Sequence, residues 1–281
     1  MNKLQSIKKP IVLTTTLLLA AILAGCGGSS GGGTATASPA PAGSICTGTG
    51  CVDLGTAANY VILSQAGVTY TPIATVTSTP KIIGNIGVSP AAATTIAGFA
   101  PNLPAGGAYS TSTLVNGAIY APDYASPTPA NLTTAIGDRQ LAYDNAGLLT
   151  ASGGTVNGVT GVVCPGVGIL NATTISPGVY NCGNPVSITG DVTLNGAGVY
   201  VFQFAQTLTQ DASTHVILTG GALPQNVFWV VGGAVSVGAN ATMKGVLLTA
   251  SNIALVTGAT VTGRLLSKTS VAMDSNTVTQ P

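Results

Sequence analysis

The side chains able to carry acid–base or nucleophilic chemistry are few and scattered. The chain of 281 residues holds 8 Lys and Arg, 7 acidic residues and 1 His. All of the acids are aspartates; Asp138 and Asp144 fall in a helical segment and Asp53 near the start of the folded domain. Carbohydrate-cleaving enzymes need paired carboxylates, or carboxylates with Arg or Lys and often calcium, and no such cluster exists here. A Ser-His-Asp triad would have to use His215, which stands in "STHVIL", a strand-like run. "GGTVNG" and "GAGVYVF" carry glycines without a phosphate-loop or dinucleotide fingerprint and read as turns. With no C-x-x-C pair and a lone His, no metal site is expected. The expectation is a protein that is not an enzyme and has no cofactor. What the chain has in abundance is threonine, beside a charged fraction of only 5%.

The N-terminal residues describe an address. Lys3, Lys8 and Lys9 precede an apolar run from Ile11 to Leu23, the pattern of a secretory signal peptide. Its ending, Leu23-Ala24-Gly25-Cys26, resembles the bacterial lipobox, which predicts a signal peptide over 1–25 and a lipidated Cys26. Residues 26–50, rich in Gly, Ser, Thr, Ala and Pro, read as a tether. The resulting expectation is an exported protein held to the envelope by an N-terminal lipid anchor. Gly27, in place of the Asp that retains lipoproteins at the inner membrane, points to the outer membrane, with release outside the cell as the alternative. Residues 51–281 then form one domain. Without the three leader lysines it has five basic against seven acidic residues, so no basic patch is available for nucleic acid. Four cysteines remain, suited to two disulfides in an oxidising compartment. Spacing permits three pairings, of which Cys46 with Cys51 and Cys164 with Cys182 is the most local.

The elements that must position these residues follow from a repeat. Val235, Ile253 and Val271 open the similar segments "VSVGANATMKG", "IALVTGATVTG" and "VAMDSNTVTQ". Short β-branched runs punctuated by Gly, Asn and Asp read as strand, turn, strand. Each unit is too small to bury its own face, so the units must stack as a β-helix. One segment departs from the pattern: Leu132, Ala135, Ile136, Ala142, Tyr143, Ala146 and Leu149 fall on one side at helical spacing, interrupted by Arg139. A helix over about 132–149 is expected to lie on a solenoid face, which explains how "VFWVV" can be so apolar. Residues 85–127 are expected to cap an open β-edge.

Several segments resemble the bacterial and fungal ice-binding protein family: "DLGTAANYVILSQAGV" (53–68), "GNIGVSPAAATTIAGFA" (84–100), "YAPDYASPTPANLTTAI" (120–136), "AYDNAG" (142–147), "GDVTLNG" (190–196) and "TVTGRLLSKTSVAMDSNTVTQP" (260–281). The resemblance implies a mainly β fold, a discontinuous β-solenoid of triangular cross-section with one long helix alongside. It also implies a partner, the ice crystal surface, bound through one flat face by a monomer. Thr257-Gly258-Ala259-Thr260 matches the family's Thr-Ala/Gly-any-Thr/Asn motif, and the repeat aligns it with Asn240-Ala241-Thr242, Asn276-Thr277 and, more loosely, Ser213-Thr214. The expected face contains Thr214, Thr242, Thr257, Thr260, Thr262, Thr277 and Thr279, extended by Thr189 and Thr193. Threonine is stiff at χ1, so such a grid is preorganised, with rungs about 4.8 Å apart and alternate residues about 6.8 Å apart. Ala239, Met243 and Lys244 depart from the motif. The rival reading is an adhesive or structural solenoid that binds a polysaccharide or a protein. Against it, Phe202, Phe204, Phe228 and Trp229 lie in runs that read as core rather than as exposed sugar platforms.

Overall fold

The computed structural model describes residues 50–72 and 81–281. The expected signal peptide, the lipidated Cys26, all but the last residue of the tether, and Cys46 lie outside the described residues.

Apolar residues alternate with polar ones in short runs, and the structure resolves these runs into three sheets of eleven, eight and five strands, paired almost throughout in parallel. From Val186 the chain visits the sheets in turn. Val186–Ile188 joins the eight-stranded sheet, Val192–Asn195 the five-stranded and Tyr200–Phe204 the eleven-stranded. The circuit then repeats through Leu208–Gln210, Val216–Thr219 and Val227–Val231. The 18-residue repeat is visible directly: Val235 pairs with Ile253, and Ile253 with Val271. In these tighter turns two visits fuse into the single strands Thr242–Thr249 and Thr260–Ser267, paired residue for residue. At their middle Gly245 is paired with Gly263 in close backbone contact: a Cβ on Gly263 would stand 1.7 Å from the Gly245 carbonyl oxygen.

The order of stacking is not the order of sequence. Tyr60–Ser64 pairs with both Thr260–Ser267 and Asn85–Val88. Gly67–Thr71 likewise lies between Ser270–Asp274 and Ile96–Ala97. The segment 85–127, expected to cap an edge, thus supplies strands to two of the sheets, although its antiparallel strand Ser110–Ser112 does blunt Val115–Tyr120. At the opposite end an antiparallel hairpin, Gly154–Val156 with Val159–Val162, closes the five-stranded sheet. Nearby, Cys164 is bonded to Cys182. Cys51 is also disulfide-bonded.

In the eleven-stranded sheet both faces of Tyr200–Phe204 and Val227–Val231 are buried, as their continuous apolar sequences require. Inward, Tyr180, Phe202 and Trp229 stand in register and stack, with ring centroids 5.2 Å and 4.3 Å apart. Outward, Val201, Phe228, Val230, Val246, Leu248 and Leu266 pack beneath the helix Thr128–Gly147. That helix begins four residues before the expected Leu132, since Pro129 suits a first turn that needs no N–H donor. It ends two residues before the expected Leu149. Leu132, Ala135, Ala142 and Ala146 are buried as the periodicity predicts, and so is Arg139, whose Nη2 donates to the Thr249 carbonyl at 2.9 Å.

Candidate functional site

Two surfaces remain uncovered by the helix, and each displays an ordered ladder of side chains. The first is carried by the leading halves of the fused strands. Thr242, Thr260 and Thr277 are paired in register, and Thr262 and Thr279 are paired two residues further on, with Lys244 beside Thr262. All five threonines are exposed or half-exposed, because Met243, Val261 and Val278 between them turn into the core. Thr193 continues the second column through its pair Ile217. Six of the nine threonines expected on one face therefore share this ladder.

The remaining three do not. Thr214 is a correction: it is buried, 7% exposed, and its hydroxyl donates to the Asp211 carbonyl at 2.9 Å. Ser213 and Asn240 take the same left-handed φ, 56° and 57°, and His215 pairs with Thr242, so Thr214 occupies the place of buried Ala241 rather than that of Thr242. Thr257 sits in a turn, half-exposed, with its hydroxyl donating to the Asp274 carboxylate. Thr189 is exposed but follows the strand Val186–Ile188 of the eight-stranded sheet, with its N–H donating to the Leu170 carbonyl at 2.8 Å.

The ladder is also less neutral than its threonines suggest. Lys244 Nζ donates to the Thr262 hydroxyl at 2.9 Å, and Thr260 donates to Thr242 at 3.3 Å, so several hydroxyls already have protein partners. His215 pairs with Thr242 at one side, its N–H held by the Asp191 carboxylate at 2.8 Å. Lys81 lies at the other side, adjoining Ile82, the partner of Val278.

The second surface is the outer face of the eight-stranded sheet. Ser187, Thr209, Ser236, Ala254, Ala272, Thr69 and Ala97 are paired one to the next across seven strands. All point away from the core, and all but Ala97 are flanked on both sides by inward neighbours such as Val235 and Val237 or Ile253 and Leu255. These seven are small and uncharged; Ile169 extends the column beyond Ser187, and Asp274, paired with Thr71, lies two residues from Ala272 on the same face. At about 4.8 Å per strand the seven run straight for roughly 29 Å. Sequence reasoning passed over these residues because it counted threonines. The available signal was the middle residue of "VSV", "IAL" and "VAM", where the 18-residue repeat puts a small residue between two buried ones.

The model for ice-binding-like proteins matches residues 62–279, nearly the whole described domain. The chain belongs to the ice-binding-like family. Among its relatives, ice-binding protein K1-A of Typhula ishikariensis is 43% identical over 199 residues, covering 70% of this chain and 76% of the relative. The ice-binding protein of Flavobacterium frigoris is 34% identical over 237 residues, covering 82% and 76%. The crystal structure of an ice-binding protein from an Arctic yeast superimposes with a TM-score of 0.75 at 37% identity, covering 84% of this chain and 96% of that one. As in that ice-binding-like structure, the fold is mainly β with a helix. Family membership makes the two ladders the surfaces to compare.

Proposed function

We propose that the protein adsorbs to ice through the outer face of the eight-stranded sheet and thereby inhibits ice growth and recrystallisation. The observation that carries the choice is the uncharged, small-residue column from Ser187 to Ala97 in unbroken register. Ice offers a flat lattice of neutral donors and acceptors. Ionic groups hold water in arrangements of their own, whereas methyls and hydroxyls fixed on a β-sheet can template ordered water without first losing conformational freedom. We read the three sheets as the sides of a discontinuous, triangular β-solenoid, with the helix covering one side. The domain acts as a monomer, without catalysis, tethered to the envelope through a lipid on Cys26.

A second reading places adsorption on the threonine ladder of Thr242, Thr260, Thr262, Thr277 and Thr279, with Thr193 at its margin and Thr189 and Thr257 beside it. Its support is the register of five threonines; Lys244, Lys81 and His215 count against it. Ice recrystallisation inhibition by Ala254→Tyr and Thr260→Tyr, each with an unchanged circular dichroism spectrum, separates the two. The expected result is that Ala254→Tyr loses activity at least about tenfold, as when a flat contact loses its complementarity, and Thr260→Tyr keeps it. The reverse pattern transfers the site to the threonine ladder. A parent chain that neither inhibits recrystallisation nor enters growing ice defeats the ice reading and leaves adhesion to be tested on glycans.

A further inference from the structure

The terminal strands of all three sheets meet at one end of the stack: Gly178–Cys182, Ile169–Leu170 and the hairpin ending at Val162. This end is built from a stretch with no charged side chain between Asp144 and Asp191. Its backbone edge is already engaged. Asn181 N–H donates to the Val163 carbonyl at 2.9 Å, Gly153 N–H to the Val179 carbonyl at 2.8 Å, and the Cys164–Cys182 bond ties the two layers. Exposed sheet ends are ordinarily guarded by lysines and other charges. Here apolar side chains turn outward instead: Val167 is 84% exposed, Leu148 80%, Val159 62%, Ile169 62% and Val163 43%. Such a neutral apolar patch marks a surface with a partner.

The course of the chain indicates which partner. Gly50, where the described residues begin, lines an open depression of about 550 Å³ with Leu149, Pro177, Val179 and Val199, at this same end. Cys26 is 24 residues upstream.

We propose that this apolar end seats on the lipid bilayer to which the chain is tethered. The inference rests on the reading of Cys26 as lipid-anchored. Tethering makes contact between domain and bilayer effectively intramolecular, so a weak apolar surface suffices; its apolar side chains bring no ion to desolvate, and exposed Asp144 beside Leu148 lies at its margin. The strands stack away from this end, so the ladder from Ser187 to Ala97 stands up from the membrane and faces sideways.

The test uses the full chain on phosphatidylcholine vesicles, attached through Cys26 either by its own acyl groups or by a maleimide lipid coupled to that thiol. Tryptophan is introduced at the apolar end (Val159→Trp) or on the eight-stranded face (Ala272→Trp), and the signal of buried Trp229 is subtracted using the parent. With brominated acyl chains, the Val159→Trp protein is expected to lose roughly half of the added emission and the Ala272→Trp protein none. Adding Val167→Asp and Ile169→Asp should abolish that loss while the protein stays attached. Unquenched Val159→Trp on attached protein overturns the proposal. So does shielding of that tryptophan in lipid-free solution accompanied by dimer sedimentation, which would assign the end to a second copy. The mass of the native N-terminal peptide reports acylation separately, and the maleimide-coupled chain tests seating whichever way that result falls.

Discussion

Two arginines lie where apolar residues would be expected. Arg264 is buried, its Nε donates to the Ala58 carbonyl at 3.1 Å, and burial pushes its guanidinium down to about 10. Arg139 is similarly lowered to about 10 by burial, partly offset by Tyr143 and Asp144. Arg264 fastens the segment before Tyr60–Ser64 to the strand Thr260–Ser267, and Arg139 fastens the helix to Thr242–Thr249. A buried cation is expensive to desolvate, so a side chain of the same length without charge should do as well. Arg264→Met is expected to match or exceed the parent in chemical denaturation, and Arg264→Ala, which leaves a cavity, to lose about 3 kcal/mol. Arg139 was visible in the sequence as the break in an apolar helical stripe. Arg264 was not, because its partner is 206 residues away. Thr214 misled for the converse reason: motif alignment matches residue types, while the strand register sets His215, not Thr214, opposite Thr242 and leaves Thr214 in the place of buried Ala241.

At the scale of elements, the close pairing of Thr242–Thr249 with Thr260–Ser267 depends on Gly245 and Gly263. Gly245 holds a φ of 111°, and a methyl on Gly263 would collide with backbone rather than with a movable side chain. Gly263→Ala is therefore expected to destabilise by roughly 3 kcal/mol or more, read from the denaturation midpoint. The Cys164–Cys182 bond, with a separation of 18 residues, should contribute about 3 kcal/mol by restricting the unfolded chain. A Cys164→Ala, Cys182→Ala double variant tests this, with the loss expected to be accompanied by faster hydrogen exchange in the hairpin Gly154–Val162. Those strands that repeat at 18 residues were legible because inward apolar residues recur at fixed spacing. The hairpin was not: Val159 and its neighbours face outward, so its alternation marks no core.

For the molecule as a whole, alkaline pH is the revealing stress. Burial, reinforced by Tyr120, pushes the Tyr60 phenol up to about 12, and Tyr70, Tyr120, Tyr143, Tyr180 and Tyr200 are raised by burial as well. A raised acid stabilises fully below its unfolded value of 10.0 and loses that contribution as pH climbs through the folded value. The two arginines act oppositely, since the folded form sheds their protons first and stability gains as pH rises above about 10. Six tyrosines against two arginines give a net loss: Tm should fall steeply between pH 10 and 12, followed by circular dichroism. Heredity meets another constraint in the stacking order. Because Tyr60–Ser64 and Gly67–Thr71 each lie between a strand from the far end of the chain and one from residues 85–97, sequence appended at either terminus adds no rung. A gene can lengthen the surface by duplicating an internal 18-residue unit between Val235 and Val271, each copy adding about 4.8 Å while leaving both closures intact.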